Sequence, residues 1–519
     1  MITSLLSTPV IAGLAIALLA LILAPLFSPL RSIPGPFFAR WSRGWMLYRL
    51  WLGRFDRDLL ELHRKHGPIV RFGPYHYSFN SPDAIDRIHG HGTELDKSSW
   101  YESWNDPGFK TLFSEPSVKA HAQMRRKFQP TFTMSNLVSY ESFANECIAL
   151  LCKRLEEIAN GPGETDLSRW TLAYSSDAVS MISYSKRVGF LDAGEDVGDM
   201  WKTLHGNFAY STFVGVFSEI HPPIVSFMKF IQRLKLGTGT PRMFLARFTS
   251  KLIEQRRAER SDEKTAGSLP ARPEDSTPRD MLSKFLDLHD QEPARFTLGD
   301  VTVGLLGNVI AGSDSTGGAL TAILYCLLKD PRVLQKLRDE ISAAREAGAL
   351  SSPPTFKEAH DLPYLHAVIH EAMRMYVHVG LPLQRIVPAG GREIGGVYFP
   401  PGTVVGATPS AVHMNPTIYG QDAHVFRPER WIDSSKETLA VMNRYWAPFG
   451  LGSRTCIGQN ISMLEMKKVV PVLVSTFDLE LAGELRAEGA EMQWLDRWFV
   501  GPVALPVQVR LRGSLDDKE

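Results

Sequence analysis

Residues 297–330 are apolar nearly throughout and end at Asp330-Pro331, where the proline ring stops any helix arriving from upstream. Length and apolarity predict one helix, which at ~1.5 Å per residue spans about 50 Å. A helix that long is either a membrane span or the central element of a large core. Asn308, Ser313, Asp314, Ser315 and Thr316 interrupt its middle and argue against a lipid-facing span. Glycines are dense here too: Gly304, Gly307, Gly312, Gly317 and Gly318. Each costs helix stability, so their density implies either close approach by something flat or a local distortion. With an acid and two hydroxyls in one turn, this helix is a candidate for chemistry as well as for the core.

After residue 140 the chain reads mostly as long amphipathic helices. Short alternating runs at residues 69–72, 397–399 and 507–511 mark a minor β component. The expected fold class is mainly α with small β-sheets. Residues 258–279 hold Pro270, Pro273 and Pro278 among Ser, Asp and Glu. That composition fits a domain linker or a surface loop. The loop is preferred, because the motifs below draw on both sides of it. The charges nearly cancel, 57 Lys+Arg against 56 Asp+Glu, so no global field for nucleic acid exists and none is expected as a partner.

The first 30 residues carry no charged side chain, and residues 10–27 are apolar apart from the breaks at Gly13 and Pro25. Such a stretch is about long enough to cross a bilayer. A cleaved signal peptide is the rival reading. The missing basic flank and the length of the stretch favour a retained transmembrane helix. Arg31, Arg40 and Arg43 follow it and, by the positive-inside rule, keep the body cytosolic. The expected organisation is an anchor over residues 1–30, a hinge over 31–45 containing Pro34-Gly35-Pro36, and a catalytic domain over 46–519.

Only four cysteines are present, too few for a disulfide framework at this length. Cys147, Cys152 and Cys326 sit in helical or apolar surroundings and read as small core residues. Cys456 differs: residues 449–458 form a glycine-rich loop, and a helical pattern follows over residues 459–474. A loop that delivers one cysteine to a helix N-terminus favours the thiolate through free N–H groups and the helix dipole. A lone thiolate suits haem iron, whereas zinc or an iron–sulfur cluster needs further ligands nearby.

Phe449, Gly452, Arg454, Cys456 and Gly458 match every fixed position of the pattern Phe-x-x-Gly-x-Arg-x-Cys-x-Gly. The chain thereby resembles the cytochrome P-450 family, whose fold holds haem between a long central helix and a cysteine-bearing loop. The resemblance implies that Cys456 is the axial ligand of haem b, that Phe449 packs against it, and that Arg454 meets a haem propionate. Glu371 and Arg374 match the family's Glu-x-x-Arg motif and share a helix face. Residues 426–431 look like its Pro-Glu-Arg segment, in which Arg430 completes a Glu–Arg–Arg cluster. His121 and Arg125 match a helix whose donors bind propionates, and Arg385 resembles a further propionate-binding arginine. Arg126 and Lys127 face either a redox partner or water.

Residues 311–316 resemble the family's oxygen-activation motif. The resemblance implies that Asp314 supplies protons and that Ser315 passes them on, with Thr316 as the substitute. Serine stands where threonine is usual; it keeps the donor and loses the methyl that fixes the rotamer. Ile310, Ala311 and members of the loop over residues 100–116 are the expected pocket lining. Residues 63–71 and the His-x-x-x-Arg-Arg form are similar to fungal microsomal members, nearest the pisatin demethylase-like group. That likeness implies a monooxygenase on the endoplasmic reticulum membrane, acting on a hydrophobic secondary metabolite by hydroxylation or O-dealkylation. Its electrons would come from NADPH through a separate NADPH–cytochrome P-450 reductase. The alternatives are a P-450-type isomerase or dehydratase without oxygen insertion, and a non-catalytic haem-binding protein.

Overall fold

The computed structural model describes Ala12, Gly13, Ile16, Leu19, Leu23 and residues 27–234, 242–265 and 279–513. The helices that build and cover the site are α1 (Gly44–Trp51), α2 (Val118–Phe128), α3 (Leu167–Tyr184), α4 (Met200–Val216) and α5 (His221–Arg233). They are followed by α6 (Arg242–Thr265), α7 (Leu298–Lys329), α8 (Pro363–Met375) and α9 (Gln459–Thr476). The largest sheet has four strands in the order β1 (Ile69–Gly73), β2 (His76–Phe79), β4 (Val404–Ala407) and β3 (Arg385–Ile386). The hairpin β5 (Trp494–Arg497) and β6 (Phe499–Pro502) reaches back toward α7. The expected strands at residues 397–399 and 507–511 are present, each in a smaller sheet. The architecture is mainly helical with small sheets.

The predicted central helix forms as one unbroken element, and its ends are set chemically. Thr297 accepts from the Asp300 N–H while the Asp300 carboxylate accepts from the Thr297 N–H, so two otherwise orphaned donors are satisfied at the start. At the far end Asp330 closes α7, and its carboxylate accepts the first N–H groups of the helix that follows. Four of the five glycines resolve to close approach, not distortion, and Gly307 faces open space. A Cβ at Gly312 or Gly317 would come within 2.8 Å of Val179 or Ser175 on α3, so these positions let α3 lie against α7. Gly304 faces the rings of Phe128 and Phe285, and Gly318 faces the His378 imidazole. Leu305, Val309, Leu320 and Ile323 of α7 then join Tyr174, Ile182, Leu464 and Val469 in the main core.

Two expectations need correction or fall outside these residues. The surface loop expected over 258–279 begins later, because α6 continues to Thr265. Arg256 holds Asp280 at 2.9 Å and Arg260 holds Asp287 at 3.1 Å, which fastens the helix to the next element. Residues 266–278 lie outside the described residues. Among the described residues no helix is long and apolar enough to cross a membrane. Most of the expected anchor, residues 1–30, lies outside them.

Helix α9 carries a buried acid, Glu465, whose Oε2 has no hydrogen-bond partner among the described residues. Burial pushes this carboxyl well above the ordinary carboxylate range. The folded chain therefore keeps a proton that the unfolded chain releases near pH ~4.3. Stability contributed here falls as pH rises above that value. Glu465→Leu is expected to stabilise the fold by about 1–3 kcal/mol at neutral pH. In calorimetric scans the gain in Tm should grow between about pH 5 and pH 8; a gain independent of pH would show that the acid is not held protonated.

Candidate active site

The loop before α9 presents Cys456. Gly450 and Gly452 adopt φ +77° and +64°, which side chains rarely tolerate, and a Cβ at Gly452 would collide with the His89 carbonyl. The turn Gly452–Arg454 returns the chain so that the Cys456 N–H donates to the Phe449 carbonyl at 2.8 Å. Cys456 is deep in the chain, yet its own surface is open, so it faces interior space and not packed side chains. Burial pushes the thiol up, opposed by the N–H of Gly458, the charge of Arg125 and the N–H of Gln459. The other three cysteines are free, two buried and one half-buried, and burial pushes their thiols up. Among the described residues no three His, Cys, Asp or Glu side chains converge as a metal site.

Helix α7 crosses the start of α9, tied to it where Thr316 Oγ1 donates to Ser462 Oγ at 3.0 Å. Thr316 is buried by that bond, so the structure does not bring it into the site as a substitute donor. Adjacent helical positions point about 100° apart, and the open positions are Ala311 and half-buried Ser315, one turn from each other. Ser315 Oγ donates to the Ala311 carbonyl at 2.6 Å. That back-bond fixes the hydroxyl in the absence of a threonine methyl. Asp314 points elsewhere again: its Oδ1 lies 2.5 Å from His205 Nε2 on α4, and its buried Oδ2 has no partner among the described residues. Ile310 is half-buried against the core. Trp100, at the start of the segment expected to supply pocket residues, is buried against Trp498 at 4.7 Å, within a cluster that includes Trp104 and Phe113.

A second feature beside Cys456 is an excess of buried positive charge. Arg454 donates to the Glu115 carbonyl at 2.7 Å and to that of Pro116, and Arg125 donates to the Thr455 carbonyl. Arg385, buried on β3, hydrogen-bonds Tyr101 and donates to the Gln384 carbonyl at 2.9 Å. Lys97 joins them, its ammonium over the Tyr101 ring at 4.5 Å and donating to the Phe113 carbonyl. Burial, then repulsion from Arg385, pulls Arg454 down to about 10. Burial and the charges of Arg454, Lys97, Arg125 and Arg385 pull His121 down to about 3. Their hydrogen bonds go mainly to neutral carbonyls, so the set fits an anionic partner. Lys97 and His205 escaped the sequence reading; neither lies in a recognisable motif, and only the fold brings them to the site.

The expected Glu–Arg–Arg cluster is buried. Arg374 meets Glu371 through two bonds of 2.8 Å, with both side chains 0% exposed. Arg430 Nε lies 3.3 Å from Glu371, which also accepts from the Arg427 N–H and the Trp431 indole. Burial pushes Glu371 up, but Arg374 and Arg430 outweigh it and hold the carboxyl below its usual range. From this cluster the chain is held toward Cys456: His370 stacks on Trp446 at 4.1 Å, and Trp446 packs on Phe449 at 5.8 Å.

A Cytochrome P450 profile matches residues 36–493. The chain belongs to the cytochrome P450 family. It is 34% identical over 487 residues to pisatin demethylase of Fusarium vanettenii, covering 93% of this chain and 90% of the relative. Cytochrome P450 monooxygenase pkfB of Emericella nidulans is 33% identical over 518 residues, covering 96% of this chain and 95% of that one. Cytochrome P450 monooxygenase gsfF of Penicillium aethiopicum is 32% identical over 490 residues, 93% of this chain and 94% of that one. A P450 carries haem on a cysteine thiolate, and the open Cys456 thiol beside surplus buried cations fits an iron porphyrin with two carboxylates.

Removing the acid at the centre of the Glu–Arg–Arg cluster leaves the wholly buried Arg374 guanidinium without its carboxylate, whereas Arg430 keeps Asp422 at 2.7 Å. Glu371→Ala is expected to cost about 3–5 kcal/mol. Thermal unfolding should register that loss together with poor haem retention. Unchanged Tm and haem content would show that the cluster does not hold the cysteine loop.

Proposed function

We propose that this P450 is a membrane-bound monooxygenase that inserts one oxygen atom from O2 into a hydrophobic small molecule, by hydroxylation or O-dealkylation, in fungal secondary metabolism. The observation that carries the reading is the pairing of an open cysteine at a helix start with an acid–hydroxyl turn on the helix that crosses it. Cys456 would hold the iron of haem b through its thiolate with Phe449 packed beside it, and His121, Arg125, Arg385 and Arg454 would hold the propionates, with Lys97 alongside. When bound, the haem supplies dioxygen activation and oxygen transfer. Asp314 serves as the proton source, with Oδ2 on the buried side of α7, and Ser315, fixed on Ala311, presents a hydroxyl oxygen toward the interior space. Electrons come from NADPH through a separate NADPH–cytochrome P450 reductase. The relatives named pisatin demethylase and P450 monooxygenase support this substrate class and reaction.

The same proposal places the protein on the endoplasmic reticulum, single-pass through residues 1–30, with its body in the cytosol. Apolarity over residues 10–27 supports this, as does an exposed surface beyond them. Phe37, Phe38 and Trp51 are exposed on one segment, and Phe227 and Phe230 on α5. Arg43 joins the two segments through Glu219 at 2.8 Å and lies over Phe217 at 4.7 Å. Aromatic side chains at that density favour a lipid interface.

The carbonyl difference spectrum of the reduced protein in microsomes is expected to show a strongly red-shifted Soret band that Cys456→Ala abolishes. A band at the histidine-ligated position would overturn the assignment of the ligand. With reductase present, Ser315→Ala is expected to consume NADPH while releasing several-fold more hydrogen peroxide. Unchanged peroxide per NADPH would remove Ser315 from the relay. Failure of the reductase to drive any NADPH consumption would favour chemistry without oxygen insertion.

A further inference from the structure

Asp314 is largely shielded from water: its side chain is 11% exposed, paired with His205 on α4. The group that reaches it is His205, 52% exposed, whose Nε2 lies 2.5 Å from Asp314 Oδ1. Asp314 Oδ2 is buried and has no partner among the described residues. One carboxylate oxygen thus faces a titratable group in contact with solvent, and the other faces inward. A lysine or arginine at this place would hold its proton across the physiological range; an imidazole can both give and regain one.

We propose that His205 is a positioning residue that feeds protons from solvent to Asp314, an inference that rests on Asp314 acting as the proton source of the monooxygenase. The Asp314 carboxylate takes a proton at Oδ1 and, once protonated, passes one on to the interior. The His205 Nε2–H bond breaks, the Oδ1–H bond forms, and neutral His205 regains a proton from water. No electron moves in this exchange.

The surroundings set its pH range. Desolvation pulls His205 down, but the hydrogen bond to Asp314 and then its charge outweigh that, helped by Asp196 and opposed by Arg497, leaving the imidazole above its ordinary value. Asp196 lies in the segment before α4 and Arg497 at the end of β5. Behind Asp314, His378 is buried, its Nδ1–H donates to the Val500 carbonyl at 2.9 Å, and burial pulls it down to about 4. It is neutral where His205 titrates. Charged His205 supports the relay below its raised pKa, and the support is lost as pH rises through that value.

The test uses haem-loaded full-length protein with reductase and no added substrate, reading hydrogen peroxide released per NADPH between about pH 6 and pH 9, which brackets the imidazole range. The wild type should release more peroxide as pH rises. His205→Gln should release several-fold more at neutral pH, with the pH limb gone, and His205→Lys, which keeps a positive charge beside Asp314 but holds its proton, should not restore the wild-type ratio. In parallel, histidine-labelled protein in the diamagnetic reduced carbonyl form should show one imidazole with a raised pKa, absent in His205→Gln and lowered in Asp314→Asn. If His205→Gln keeps both the wild-type ratio and its limb while Asp314→Asn raises peroxide, His205 is not the feed and the role of Asp314 stands. If neither variant changes the ratio, the relay through Asp314 falls as well. The carbonyl spectrum of each variant reports that its haem site is intact.

Discussion

The buried carboxylate of Glu371 is the interaction on which the cysteine-bearing half of the molecule depends. Two guanidiniums, a backbone N–H and an indole N–H converge on its two oxygens, with Arg374 wholly enclosed. A buried ion pair of this kind is poor at adding net stability and good at enforcing one arrangement, because every misplacement strands a charge. Here the arrangement joins α8 to the segment around Arg427 and Arg430. His413 relays the same order: its imidazole meets the Arg374 carbonyl at 3.0 Å and accepts from the Ala447 N–H at 2.8 Å. Residues 447–458 are therefore positioned before their own loop geometry comes into play.

Electrostatics at the site runs in the opposite sense. Around Glu371 the charges are matched, Arg374 and Arg430 against the carboxylates of Glu371 and Asp422, whereas Lys97, Arg125, Arg385 and Arg454 crowd together with their hydrogen bonds directed mainly at carbonyls. The carboxylates nearby are engaged elsewhere: Glu115 accepts from the Ser117 N–H at 2.9 Å and Asp96 from the Val118 N–H at 3.0 Å. Two kinds of buried charge thus divide the labour. The matched cluster holds the scaffold, and the unmatched one fits an anionic cofactor edge. The open thiol between them is tuned by the same surroundings, since Arg125 both donates to the Thr455 carbonyl and favours the thiolate of Cys456.

Much of this was legible in the chain. The central helix was readable because apolarity and the Thr297 and Asp330 ends are local properties, and the cysteine loop because its glycines and following helix sit within one short stretch. The strands at residues 69–72 and 507–511 showed their alternation for the same reason. Other parts were not legible. Thr316 stands beside Ser315 in sequence, yet the helical turn sends it to Ser462. Trp100 lies in the expected pocket segment but is spent on packing against Trp498, a residue far along the chain. Helix α6 outruns its polar composition, because arginines paired with Asp280 and Asp287 overcome weak local preference.

What the sequence by itself determined is the set of local devices: a capped apolar helix of 32 residues, an acid–hydroxyl turn within it, and a glycine loop that delivers Cys456 to a helix start. Each depends on neighbours along the chain, so spacing and residue type suffice to reveal it. What only the tertiary structure decided is who meets whom across long separations. Lys97 joins Arg385 and Arg454, Glu371 gathers Arg430, and His205 on α4 comes to rest on Asp314 of α7. Such meetings are set by how helices and sheets stack, and a single side chain carries no local mark of the partner that packing will bring to it.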